Sequence, residues 1–192
     1  MALGVLLLTM VVFGCHPTTA GTSASQSAKL DTQQSDAGNT WVTADDGRLS
    51  LRFSVVNRRW KANESIQVAA EIRNNSQQKI TVLRPFGDNH AARAVGMKIW
   101  DGNRQIRYTG ALASYVIGSA AFAVIDPGEA VQDKLELTID NFGGIEPPGT
   151  YTLRYDYSYN GQWDTTAAAG DSGIMDAWRG AICSREVEVV RQ

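Results

Sequence analysis

The sequence predicts an all-β fold, an antiparallel immunoglobulin-like sandwich of about eight or nine strands with little helix. Three observations carry this. Apolar and polar residues alternate with period two from Leu49 onward, turn residues separate the alternating runs, and no long stretch keeps a 3.6-residue period. Leu49, Leu51, Phe53 and Val55 alternate with Ser50, Arg52 and Ser54. Ile66, Val68, Ala70 and Ile72 alternate with Gln67, Ala69, Glu71 and Arg73, and Ile80 and Val82 flank Thr81. Val131, Leu135, Leu137 and Ile139 alternate with Gln132, Lys134, Glu136 and Thr138, with Asp133 breaking the pattern. Tyr151, Leu153, Tyr155, Tyr157 and Tyr159 alternate with Thr152, Arg154, Asp156 and Ser158. Each run offers one face to a core and one to water.

The turns are equally legible. Asp101-Gly102-Asn103 joins Met97–Trp100 to Arg104–Tyr108 as a hairpin. Asn74-Asn75-Ser76 separates two strands, and Asp126-Pro127-Gly128-Glu129 and Pro147-Pro148-Gly149-Thr150 each precede one. Proline presets φ there and glycine supplies positive φ. The connection from Asn160 to Gly180 is long, and a loop of that length in a compact domain is functional or mobile. Trp163 and Trp178 bracket it, either pinning its ends or forming an aromatic contact surface. Tyr157 and Tyr159 are the second candidate contact, should the outer end of their strand face be exposed.

Ahead of the sandwich lie two segments of different character. Residues 3–14 form an apolar run, shorter than the roughly 20 residues a membrane span needs. The run ends at Cys15 and is followed by His16-Pro17, the layout of an export leader. Val12-Phe13-Gly14-Cys15 resembles the lipobox of bacterial lipoproteins, with the small Gly14 at the cut. That resemblance implies cleavage after residue 14, fatty acylation (palmitate or similar) of Cys15 and lipid anchoring in the cell envelope. His16 after the cysteine, in place of Asp, resembles the outer-membrane pattern of Gram-negative lipoproteins. Residues 16–40 are rich in Thr, Ser, Ala, Gln and Gly, with Leu30 the only large aliphatic side chain. Such a segment buries too little apolar surface to offset its ordering entropy, so it reads as a tether. The expected organisation is a signal peptide over 1–14, the lipidated cysteine and tether over 15–40, and the sandwich over 41–192.

From Asn74 to Val82, then through Ile106-Arg107-Tyr108-Thr109-Gly110, Asp126-Pro127-Gly128-Glu129 and Pro148-Gly149-Thr150-Tyr151-Thr152-Leu153 to Trp178-Arg179-Gly180, the body has a recognisable order. It resembles the N-terminal β-domain of deuterolysin-type metallopeptidases and, more loosely, the proteinase-inhibitor family typified by the Bacillus intracellular inhibitor. The resemblance implies the fold. It implies peptidase chemistry only with a catalytic domain, and it suggests peptidase inhibition as the alternative function.

The residues offer little chemistry. A net charge of −2 without a Lys/Arg stripe argues against a nucleic-acid partner. Only two histidines are present, His16 and His90, so the paired-histidine zinc motif of metallopeptidases is excluded. His90, in Gly87-Asp88-Asn89-His90, reads as a solvated loop residue. Cys183 reads as a small buried hydrophobe, without a disulfide partner once Cys15 is acylated. Asp45-Asp46-Gly47 and the acids Asp164, Asp171 and Asp176 lack calcium-loop spacing, and turn chemistry explains the first group. The expectation is a non-catalytic envelope lipoprotein with no cofactor and no metal. Its partners would be the membrane, through the anchor, and another protein, through the sandwich.

Overall fold

The computed structural model describes residues 39–62, 64–86, 96–109, 119–137, 142–143, 145, 147–161 and 176–192. Cys15, His90, Trp163, Asp164 and Asp171 therefore lie outside the described residues, as does the whole leader. The described residues belong to one compact unit, Gln34–Gln192.

The fold is all-β, as the alternation predicts. Twelve strands are present among the described residues. They are β1 (Val42–Thr43), β2 (Leu49–Val55), β3 (Arg59–Trp60), β4 (Ile66–Asn74), β5 (Ile80–Leu83), β6 (Met97–Asp101), β7 (Arg104–Ile106), β8 (Phe122–Ile125), β9 (Ala130–Leu137), β10 (Gly149–Tyr159), β11 (Gly180–Cys183) and β12 (Val187–Arg191). A 3-10 turn, Ser119–Ala121, leads into β8. The excess over the expected count comes from the two-residue strands β1 and β3 and from a break in the final strand. Ser184 breaks it: its N–H donates to Tyr155 O at 2.9 Å, while its Oγ accepts the Tyr155 N–H at 2.9 Å. The chain thereby bulges between β11 and β12 and both pair with β10.

One sheet has the order β1-β2-β4-β9 and a second the order β3-β12-β10-β6-β7, with β11 also on β10; β5 and β8 form a small third sheet. All pairs are antiparallel except β12 with β3, which is parallel. The inner faces of the two large sheets meet. Phe53 of β2 stacks on Tyr155 of β10 with ring centroids 6.1 Å apart, and within the second sheet Trp60 of β3 lies 6.0 Å from Tyr151 of β10. Every residue named above on the apolar side of β2, β4 and β10 is buried. Each of the larger ones contributes about 1.5–3 kcal/mol by leaving water.

The turns follow their sequence logic with one exception. Gly102 has φ 55 in the β6–β7 hairpin, and Asp101 pairs with Arg104. That second strand stops at Ile106, and Tyr108 makes only an isolated bridge to Phe142. At Asp126–Glu129, Gly128 has φ 79 and the Glu129 N–H returns to Asp126 O at 3.0 Å, a type II turn. Gly149 is the exception: it lies within β10, opposite Arg191, and supplies no positive φ. Tyr151 holds the corner before β10 by donating its hydroxyl to Pro147 O at 2.7 Å.

Asn74 shows why Asn is needed between β4 and β5. It is fully buried, and its Nδ2 donates to Gln78 O at 2.7 Å and Ile125 O at 2.9 Å. Its Oδ1 accepts from the backbone and hydroxyl of Ser76 at 2.9 and 2.8 Å. The turn signal of the sequence is thus a saturated amide joining three segments.

Candidate functional site

Of the four residues singled out for contact, Trp163 lies outside the described residues and the other three are used inside the molecule. Tyr157, Tyr159 and Trp178 are buried, which favours the core and pinning alternatives over an exposed contact surface for these three. The inward face of β10 continues to its end because the β5–β8 sheet and the segment before β11 cover it. Tyr157 donates its hydroxyl to Leu83 O at 2.9 Å and stacks on Trp178, with centroids 6.0 Å apart and planes at 20°. Tyr159 meets Phe122 edge-on at 5.5 Å. Trp178 takes the pinning role: its backbone N–H donates to Thr81 O at 2.8 Å and its indole N–H to Asp46 Oδ2 at 2.7 Å.

Asp46 is thereby explained. Its Oδ1 accepts the Arg48 N–H at 2.9 Å and its Oδ2 the Trp178 indole, so both oxygens serve the turn before β2. Among the described residues no group of three His, Cys, Asp or Glu side chains is placed to hold a metal ion. Asp176, the one described member of the second acidic group, is exposed.

Cys183 also departs from expectation. It is half-buried and disulfide-bonded, where a small buried hydrophobe without a partner was expected. It sits opposite Asp156, on the outward side of β10. The chain has one other cysteine, Cys15, outside the described residues.

The polar feature that sequence reasoning undervalued is Asp133. Phe53, Ala70 and Asp133 are in register across β2, β4 and β9. Asp133 therefore occupies an inward position, in phase with Val131, Leu135 and Leu137, and the phase break in the sequence was the signal for it. Its Oδ1 lies 3.4 Å from Arg84 Nη1, and its Oδ2 is buried without a hydrogen-bond partner. Nearby, Tyr155 is packed between Phe53 and Phe86, the latter edge-on at 5.0 Å. Burial pushes the Tyr155 phenol well above its usual range, and the charges of Tyr157 and Asp133 add to this. The phenol stays protonated at neutral pH and the carboxylate keeps one unused acceptor. That set can accept a hydrogen bond or pair a cation. Asp133→Val should raise stability by about 1 kcal/mol, because an incompletely paired carboxylate on an apolar face costs more than its single long contact returns. Arg84, with 38% of its side chain exposed, can turn to water. Denaturant titration measures this, and a loss of stability would show the pair to be structural.

Two cation–aromatic groups mark the outer faces. On the β10 sheet, Arg154 lies 4.9 Å from the Trp100 ring and grips Asp156 with bonds of 2.7 and 3.1 Å. On the four-stranded sheet, Trp41 sits between Arg52, at 4.7 Å, and Arg73, at 4.2 Å.

No protein-family description matches this sequence, and no curated protein does. Among solved structures, the chain is similar to β-glucosidase from Listeria innocua in complex with glucose. The identity is 15% and the TM-score 0.34, over 74% of this chain and 16% of that one. The same enzyme in complex with isofagomine gives 14% identity and a TM-score of 0.33, over 74% and 16%. The chain thus spans 16% of the length of those structures.

Proposed function

We propose that the chain is a bacterial envelope lipoprotein, lipid-anchored through Cys15, in the outer membrane if its host is Gram-negative. Residues 16–40 space it from the bilayer. The immunoglobulin-like sandwich from residue 41 is a non-catalytic module that binds another protein or supports an assembly. The observation that supports this reading is the use to which the described polar groups are put. Asp46, Asn74, Tyr157, Trp178 and Ser184 all hold turns and strands together, and Arg52, Lys79 and Arg154 pair with Glu71, Asp126 and Asp156. The Tyr151 corner bond recurs in immunoglobulin-like sandwiches and supports that finer reading of the fold.

A second reading is favoured by one observation, the disulfide at Cys183. A sulfur in a disulfide cannot carry a thioether-linked lipid, so a Cys15 paired with Cys183 leaves an exported protein without an anchor. Purification from membranes solubilised in mild detergent separates the two. The anchored protein should start at Cys15, carry acyl groups by intact mass, partition into the detergent phase and bring a partner with it. A mass lacking acyl groups that rises on reduction would establish the second reading and remove the first.

A further inference from the structure

The outer face of the four-stranded sheet carries a feature that neither the core nor the proposed anchor requires. β1 is only two residues long and joins β2 through Val42 opposite Leu51 and Thr43 opposite Ser50. Around this minimal ladder the side chains add a second set of contacts. Thr43 Oγ1 lies 2.9 Å from Ser50 Oγ, which also accepts Asn75 Nδ2 at 2.7 Å. The Ala44 N–H donates to Leu49 O at 2.9 Å. Trp41, one residue ahead of the ladder, lies across two guanidinium groups, 4.2 Å from Arg73 and 4.7 Å from Arg52. Arg52 is itself fixed by Glu71, with its Nε 3.0 Å from Glu71 Oε2. The indole is half-buried on a polar surface, whereas Trp60 and Trp178 are core residues.

The four-stranded sheet does not depend on β1. β2 pairs with β4 over seven positions and β4 with β9 over eight, and these strands carry the buried rows. β1 itself contributes to the core only through the partly buried Val42, and the buried Ala44 follows it. A segment with two ladder pairs and a surface clamp opens at lower free energy than strands packed on both sides. Opening it would expose the outer edge of β2, a row of backbone groups able to pair with an added strand.

We propose that residues 41–43 form a strap that opens and closes on the edge of β2 while the two large sheets stay folded, and that the Arg52–Trp41–Arg73 clamp sets how often it is open. Among the described residues Arg73 faces Trp41 without an ion pair like the one that fixes Arg52, and it is the more exposed of the two. The clamp acts through ring–cation geometry, so the aromatic ring matters more than the bulk of the side chain. The strap can open and close whether or not Cys15 carries lipid.

Amide hydrogen exchange on the full chain tests it. In Trp41→Ala, the amides of Val42 and Ala44, the ones that face β2, should exchange about ten-fold faster, the loss expected of two cation–π contacts. Ile72 of β4 and Leu135 of β9 should keep their wild-type rates. Trp41→Phe should fall between Trp41→Ala and wild type. Arg73→Ala removes one side of the clamp without touching β1 and should give the same local pattern at smaller size. It decides the matter by the same criterion if Trp41→Ala fails to accumulate as folded protein. Unchanged exchange at Val42 and Ala44 would overturn the strap, and so would equal acceleration in β4 and β9, because β1 would then be an integral part of the sheet.

Discussion

Trp178→Ala should lower the stability of the body by about 4 kcal/mol, among the largest effects of any single truncation in the molecule. Three separate interactions end on that indole. Its ring is buried and stacked on Tyr157, its N–H donates to Asp46 Oδ2, and its edge fills the space beside Gly180. A Cβ added at Gly180 would fall 2.5 Å from the indole carbons, which explains why that position is glycine. Truncation leaves a cavity against Tyr157 and removes the donor that holds the turn before β2. Trp178→Phe should recover most of the packing but not the hydrogen bond, and cost about 1–2 kcal/mol. Chemical denaturation of the three proteins, with an unchanged dependence on denaturant, measures both differences. If Trp178 were a partner-contact residue, Trp178→Ala would keep its stability and lose binding, the opposite pattern.

The comparison of Trp178 with Trp41 shows how far sequence carries. Period-two alternation located β2, β4, β9 and β10 correctly, because each strand shows its two faces within its own residues. The Asn74 turn and the Asp-Pro-Gly turn were legible for the same reason: the special φ or side-chain bond lies within a few positions. What lies over the end of a face is decided elsewhere in the chain. Tyr157 and Tyr159 are core because Leu83 of β5, Phe122 of β8 and Trp178 ahead of β11 reach them from elsewhere in the chain. Asp133 looked like a phase slip, and only the register with Ala70 and Phe53 shows it to be an inward carboxylate. The Trp41 clamp depends on Arg52 and Arg73 coming diagonally together on antiparallel strands, which no local pattern announces. For the same reason the break at Ser184 was invisible, since it exists only relative to β10.

Alkaline pH should unfold this protein steeply, and two side chains account for it. The phenols of Tyr155 and Tyr157 are both pushed up from 10.0 by burial, which penalises the charged phenolate. In the unfolded chain both return to about 10. Above that value the folded state holds protons that the unfolded state has released, so stability falls as pH rises; below it, the contribution of both groups is complete. The loss is about 1.4 kcal/mol per pH unit for each phenol, hence about 2.7 for the pair, for as long as the folded phenols stay protonated. A body stabilised by about 5–8 kcal/mol would be exhausted within roughly two to three pH units above 10. Tyrosinate absorbance and circular dichroism, followed together, should therefore show part of the tyrosinate signal appearing only as the sheet signal is lost. Tyr157→Phe should cost about 1 kcal/mol at neutral pH through the lost bond to Leu83 O, and halve the dependence on pH above 10. Tyrosinate appearing in full near pH 10 with the sheet signal intact would show these rings to be open to water, and would return Tyr157 to the candidate contact surface.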